Sequence, residues 1–236
     1  MEVRQVMNDS LVYDLGNRKR LARTPGGDRA YAPAVRRLRT VALVTATPLA
    51  LAVVGLFHPT GLNPSTAHMW AAMHVWLLPV FPLLTLGLLV PLGARPSRDA
   101  AGVATVVAWL GSAAFAALYT GLDAVAGIAA GTVEQHATSD ESGQYVAALF
   151  HTADSLGHRG VQALAVAVIA ASVALVLRHG PWTLGGTAVL LVCTYSFYDS
   201  HIFYPRGVLT MVGYAVGFAL LAWPAARAPM AMTAPG

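Results

Sequence analysis

Long apolar runs separated by short polar segments make up most of the chain after residue 40. Five runs approach the length of a membrane span, and in a sixth Thr194, Tyr195 and Ser196 dilute one end. A hydrocarbon core about 30 Å thick takes roughly 20 helical residues at about 1.5 Å rise each. The pattern therefore predicts an all-α fold, a polytopic membrane bundle of six transmembrane helices over residues 41–224. The six runs are Val41–Phe57, His68–Leu92, Ala101–Gly131, Val161–Leu177, Thr183–Tyr198 and Gly207–Trp223.

Composition agrees with this class. The chain is 56% hydrophobic and 11% charged, with a mean hydropathy of +0.58, whereas soluble domains carry roughly 25% charged residues. Cys193 is the single cysteine, which excludes a disulfide framework and a cysteine-based zinc site.

The distribution of basic residues predicts an orientation. Short cytoplasmic segments retain Lys and Arg, and six spans place thirteen of the 15 basic residues on one side. Both termini are then cytoplasmic, and the expected location is a bacterial cytoplasmic membrane. Residues 1–40 are predicted to be a basic, flexible tail, and 225–236 a short second tail. The basic tail serves as an orientation signal and also attracts anionic inner-leaflet lipid.

This topology places seven of the eight histidines on the extracytoplasmic side. Only His179 falls on the cytoplasmic side. The seven are His58, His68, His74, His136, His151, His158 and His201. A function is therefore expected on the outer face.

One outer segment carries a notable spacing. Residues 145–160 read as an amphipathic extracytoplasmic helix, in which His151, Asp154 and His158 (i, i+3, i+7) share one stripe beside Ser155. The two histidines lie about 10.5 Å apart along the axis, too far for both to bind one ion unless the helix bends at Gly157. A local pair, His151–Asp154 or Asp154–His158, therefore needs further ligands from other helices.

Two spans and one loop offer such ligands. His74 is expected just below the outer interface, where ionisable side chains usually face the bundle interior, and Pro79 and Pro82 predict a kink beneath it. Asp123, one turn after Tyr119, needs a cation, a histidine or a metal as its partner. In the loop 198–206, Asp199 is placed to orient His201. His58, His68 and His136 receive no role.

These residues favour an outward-facing transition-metal or haem site. The predicted ligands are His74, His151, Asp154, His158, His201 and Asp123, with Asp199, Ser155 and Tyr119 as orienting groups. Such a set suits copper, zinc or iron, and His74 with His158 would suit a single b-type haem. Redox or hydrolytic chemistry on a lipid-like or small substrate would fit the site.

Two alternatives remain open. One is a proton-coupled small-molecule or ion transporter using the same His and Asp residues. The other is a structural or assembly subunit that contacts a membrane-protein partner or a second copy through the GxxxG faces Gly127–Gly131 and Gly213–Gly217. No nucleic-acid partner is expected. Neither HExxH, GxSxG nor a P-loop occurs, so no motif identifies a catalytic residue and enzymatic activity stays open.

Overall fold

A computed structural model describes residues 27–137 and 142–225. Regular structure within these ranges is entirely helical. A π-helical segment, Asp123–Ala129, and a 3₁₀ turn, Pro181–Thr183, join neighbouring α-helices. The α-helices are α1 (Gly27–Gly55), α2 (Ala67–Leu77), α3 (Val80–Leu83), α4 (Leu86–Leu92), α5 (Ala100–Leu122), α6 (Ala130–Gln135), α7 (Ser142–His179), α8 (Leu184–Ser200) and α9 (Arg206–Ala225).

The described residues from 40 onward belong to one compact unit, and those before 40 to a separate one. Of the smaller unit, the described residues belong to the first part of α1. Most of the predicted basic tail and almost all of the predicted C-terminal tail lie outside the described residues. Residues 145–160, predicted as an amphipathic segment, belong to the long continuous helix α7.

The chain has the architecture of a multi-pass membrane helical bundle. Among the described residues, four helices are long and apolar enough to cross a membrane, at 34–55, 100–135, 142–179 and 206–224. The pair Ala67–Leu77 and Val80–Leu92 gives a fifth if counted as one span bent by 40°. Pro79 stands at this bend, where the missing N–H of proline interrupts helical hydrogen bonding. Six spans and cytoplasmic termini stay predictions, and the weakest predicted run corresponds to α8, with 17 residues.

Small residues lie at the closest contact between two of the long helices, α5 and α7. On α7, Gly157, Gly160, Ala167 and Ala171 are buried while side chains such as Ile169 are exposed. Lipid is as apolar as leucine, so helices in a membrane gain little by burying large side chains and associate through close backbone packing. Helix α5 is the partner, since a Cβ at Gly111 would meet Ala163 and Ala167 of α7.

Both GxxxG faces are used within the chain. A side chain at Gly127 or Gly131 would collide with α2, where His74 and Ala71 lie. On α9, side chains at Gly213 and Gly217 would meet Cys193 and Leu190 of α8. These glycines therefore account for packing inside one molecule.

Arg178, in the last turn of α7, ties three helices together. Its guanidinium donates to the carbonyl oxygen of Leu92, the last residue of α4, at 2.8 Å. It also donates to the hydroxyl of Thr105 on α5 at 2.7 Å. The end of α4 thereby gains a partner for a carbonyl that has none within its own helix.

Replacing Arg178 by Ala is expected to lower stability by about 1–3 kcal/mol, because two charge-assisted hydrogen bonds are lost. Thermal unfolding of the purified protein in detergent measures the change. Thr105→Val should lose part of the same stabilisation. Arg95→Ala, at an exposed position, is the control and should unfold like the wild type. Equal unfolding of Arg178→Ala and wild type would show that the contact contributes nothing.

Candidate metal centre

Three histidines that are distant in sequence converge at one point. His58 follows the end of α1, His74 lies in α2, and His201 follows the end of α8. One ring nitrogen from each lies within 4.8 Å of a ring nitrogen of the other two. The ring centroids are 5.1 Å apart for His58 and His74, 5.7 Å for His58 and His201, and 6.1 Å for His74 and His201. This cluster, called the histidine triad below, could hold a metal ion.

Nδ1 of every ring in the triad has a hydrogen-bond partner. His58 Nδ1 lies 2.8 Å from the carbonyl oxygen of Pro59, and His74 Nδ1 lies 2.8 Å from that of Trp70. A ring nitrogen facing a carbonyl must carry the proton and donate it, which leaves Nε2 with a free lone pair. His201 Nδ1 bonds the hydroxyl of Tyr119 at 2.7 Å. Histidines that bind metals are typically held in this way through their second nitrogen.

Two of the remaining nitrogens are buried and unpaired. Nε2 of His58 and Nε2 of His201 have no hydrogen-bond partner among the described residues. Buried polar atoms without a partner are rare and call for an explanation. A metal ion bound by the triad would pair both.

Two members of the triad, His58 and His201, are neutral. Burial, together with the neighbouring His74, lowers the pKa of His58 to about 4. Burial lowers the pKa of His201 well below its usual value, and the proximity of His58 and His74 lowers it further. Because both pKa values are lowered, both rings are uncharged at pH 7. Neutral imidazole is the form that binds metals.

Aromatic rings enclose the triad. His58 lies edge-on to Trp70 at 5.0 Å and to Phe203 at 4.7 Å between ring centroids. Phe81 lies 5.1 Å from His201. These rings give the cluster an apolar surrounding, in which His58 and His74 are buried.

The π-helical segment seats His74. Its Ala126 carbonyl oxygen accepts a hydrogen bond from Nε1 of Trp70 at 2.9 Å. The next residue is Gly127, where a Cβ would overlap the ring of His74. A π turn displaces helical hydrogen bonds from their usual register and is frequent at functional sites. Here it supplies both a carbonyl for Trp70 and a place without a side chain for His74.

His201 is held in an unusual backbone conformation. Its φ of +43° lies in the left-handed region that non-glycine residues seldom adopt. The turn that follows packs against the end of α1, because a Cβ at Gly55 would overlap the carbonyl oxygen of Ile202. This close approach brings His201 to the same level as His58.

Asp123, the first residue of the π-helical segment, is fully buried. Neither of its carboxyl oxygens has a hydrogen-bond partner among the described residues. It lies one helical turn after Tyr119, whose hydroxyl bonds His201. A buried carboxyl without a partner in a span is expensive and usually functional.

A cavity of about 380 Å³ opens beside the triad. His74, His201 and Tyr119 line it, the first and last of them buried, and aromatic side chains form much of its wall. Asp154, His158 and Asp199 also line it. The His158 ring stacks on Tyr198 at 4.1 Å, and its Nε2 lies 3.9 Å from Oδ1 of Asp199.

Some of the site residues predicted from the sequence lie together in the structure, and others do not. Six of them line this one cavity: His74, Tyr119, Asp154, His158, Asp199 and His201. His151 and Ser155 are exposed on α7, and the Ser155 hydroxyl bonds the carbonyl of His151 in its own helix. The haem pairing of His74 with His158 stays a prediction, since His74 belongs to the triad while His158 stacks on Tyr198.

His58 is the residue that the sequence argument passed over. It directly follows the first apolar run, as His201 closely follows the fifth. If both runs end at the same face of the membrane, their following residues lie at one depth. The position of both histidines just after an apolar run therefore indicates a common depth. It does not show that the two loops fold toward each other.

Comparison with protein-family models, with curated proteins and with solved structures finds no match. The function is therefore inferred from the geometry of the site.

Gly127→Ala is expected to displace His74 and to destabilise the protein by about 1–3 kcal/mol through overpacking. Thermal unfolding in detergent measures this change. Gly185→Ala on α8 is the matched control, because a Cβ there meets nothing within 4 Å and alanine is the better helix former. If both variants unfolded alike, the close contact between Gly127 and His74 would be wrong.

Proposed function

We propose that the protein is an integral membrane metalloprotein that binds one zinc ion through Nε2 of His58, His74 and His201. The convergence of the three ring nitrogens, with each Nδ1 already bonded, carries the proposal. Zinc bound at about 2.0–2.1 Å in tetrahedral geometry separates its nitrogen ligands by about 3.3 Å. The nitrogens lie within 4.8 Å of one another, so small side-chain rotations would complete the site.

The donor set supports zinc over Cu(I). Imidazole nitrogen suits zinc, Cu(II), iron and nickel, whereas Cu(I) prefers sulfur ligands. No cysteine or methionine lines the cavity among the described residues. Met73 instead lines a separate apolar groove together with Met69 and Trp76.

Three protein ligands leave one coordination position for a water or substrate. Catalytic zinc sites have this arrangement, and structural ones have four protein ligands. His74 and His201 line the cavity, so the open position would face it. A bound water with its pKa lowered to about 7 would then be a nucleophile at neutral pH. We therefore assign the site a hydrolytic reaction on a small substrate, on the predicted extracytoplasmic side.

Asp123 would balance the charge of the ion. Three neutral imidazoles leave two positive charges on zinc, which are costly to bury without an opposite charge. Asp123 is buried, unpaired and one turn from the tyrosine that holds His201. An anionic Asp123 would lower this cost without ligating the ion itself.

The purified wild type is expected to bind about one zinc per chain, and Ala at His58, His74 or His201 should remove most of it, since two imidazoles are left. Elemental mass spectrometry with a chelator titration measures stoichiometry and affinity. His151→Ala and His136→Ala, both at exposed positions, are controls that should retain the metal.

A wild type that stays metal-free after incubation with zinc, copper and iron would overturn the proposal. A Soret band that is present in the wild type and lost in His158→Ala would instead support a haem bound by His74 and His158.

Asp123→Asn is expected to weaken zinc affinity by about 10–100-fold, by analogy with groups that support metal ligands. The metal-free variant should be at least as stable as the wild type, because an amide is cheaper to bury than a carboxylate. Chelator competition and thermal unfolding give the two readouts, with Glu134→Gln as the control. Lower stability with unchanged zinc affinity would assign Asp123 a structural role.

A further inference from the structure

The charged residues of the cavity are of one sign. Among the described residues that line it, Asp154 and Asp199 are the charged side chains, and no lysine or arginine is present. Arg206, the first residue of α9, does not line the cavity. Its side chain donates to the hydroxyl of Ser196 on α8 at 3.2 Å. The cavity therefore offers no cationic partner for an anionic ligand.

Flat aromatic surfaces accompany these carboxylates. Phe150 and Tyr198 line the cavity with Asp154 and Asp199, and Trp70 and Phe203 line it beside the triad. The His158 ring stacks on Tyr198, with Asp199 next to it, where α7 meets the end of α8. Carboxylates combined with aromatic faces are the groups that recognise organic cations.

Polar side chains of the triad also line the same cavity. His74 is only 2% exposed, and it lines the cavity with Nδ1 bonded to Trp70. His201 lines the cavity too, and its buried Nε2 has no hydrogen-bond partner among the described residues. A ligand could thus meet carboxylates at one end of the cavity and the triad at the other.

We propose that this cavity binds a small organic cation, an amine or a quaternary ammonium compound with a short body. The cationic group lies between Asp154 and Asp199 against the aromatic wall, and the opposite end of the molecule reaches His74 and His201. A volume of about 380 Å³ admits a ligand of this size and lies within the usual range of small-molecule sites. Reaction of the inner end rests on the proposed zinc function, whereas the preference for a cation does not.

Three isosteric probes test the charge preference: choline, the neutral dimethylbutanol in which carbon replaces nitrogen, and the anionic dimethylbutanoate. Ligand-observed NMR on metal-free protein in maltoside detergent measures their affinities without a zinc ion that would attract the carboxylate. Choline is expected to bind at least about tenfold more tightly than the alcohol, in line with a desolvated cation–π contact and two carboxylates. Dimethylbutanoate should bind most weakly.

The double variant Asp154→Asn/Asp199→Asn should lose this preference and bind choline and the alcohol alike. Glu134→Gln, a carboxyl that does not line the cavity, should keep it. Short-chain phosphatidylcholine identifies the source of the cation. Binding tighter than that of choline would indicate a lipid headgroup, and weaker binding a free cation.

Equal affinity for choline and the alcohol in the wild type, or tighter binding of the carboxylate, would overturn the inference. So would a full choline preference in the double asparagine variant. Zinc content of the same preparations is measured separately. A protein that prefers choline but never binds zinc would disprove the proposed function alone, and one that binds zinc without preferring choline would disprove this inference alone.

Discussion

The site depends on how the second nitrogen of each buried histidine is bonded. In His58 and His74 this nitrogen donates to a backbone carbonyl, so the fold itself sets the orientation of the ring. In His201 it meets the hydroxyl of Tyr119, which is fixed within the core. One ring nitrogen of each histidine lies close to a ring nitrogen of the other two. Without these bonds, three adjacent imidazoles in an apolar setting would have no defined orientation.

Close backbone packing places those rings. Gly127 leaves room for the ring of His74, and Gly55 leaves room for the turn that carries His201. The same device holds the bundle together, since Gly111 of α5 lies against α7. In a membrane, tight packing replaces the hydrophobic effect as the main source of helix association. The site and the core therefore share one physical basis, and both depend on positions where a methyl group does not fit.

Burial divides the polar residues of this region into two layers. The triad and Asp123 are enclosed by aromatic and aliphatic side chains, where an unpaired charge is expensive. Asp154 and Asp199 are exposed, where water solvates them. A cavity connects the layers, with His74 and His201 at its inner end. In the two proposals made above, the ion would lie in the buried layer and the charged ligand in the exposed one.

Hydrophobic patterning alone determined the helical, membrane-type fold, because helix formation and lipid solubility depend on residues close together in the chain. It also pointed to His74, His201, Tyr119 and Asp123 as polar groups in or beside apolar runs. The tertiary structure decided which of them meet. His58 joins the triad because two loops fold onto each other, while His151 stays exposed because glycine packing turns another face of α7 toward α5. The contact between the loops of His58 and His201 links residues more than a hundred positions apart, and local periodicity carries no information about it.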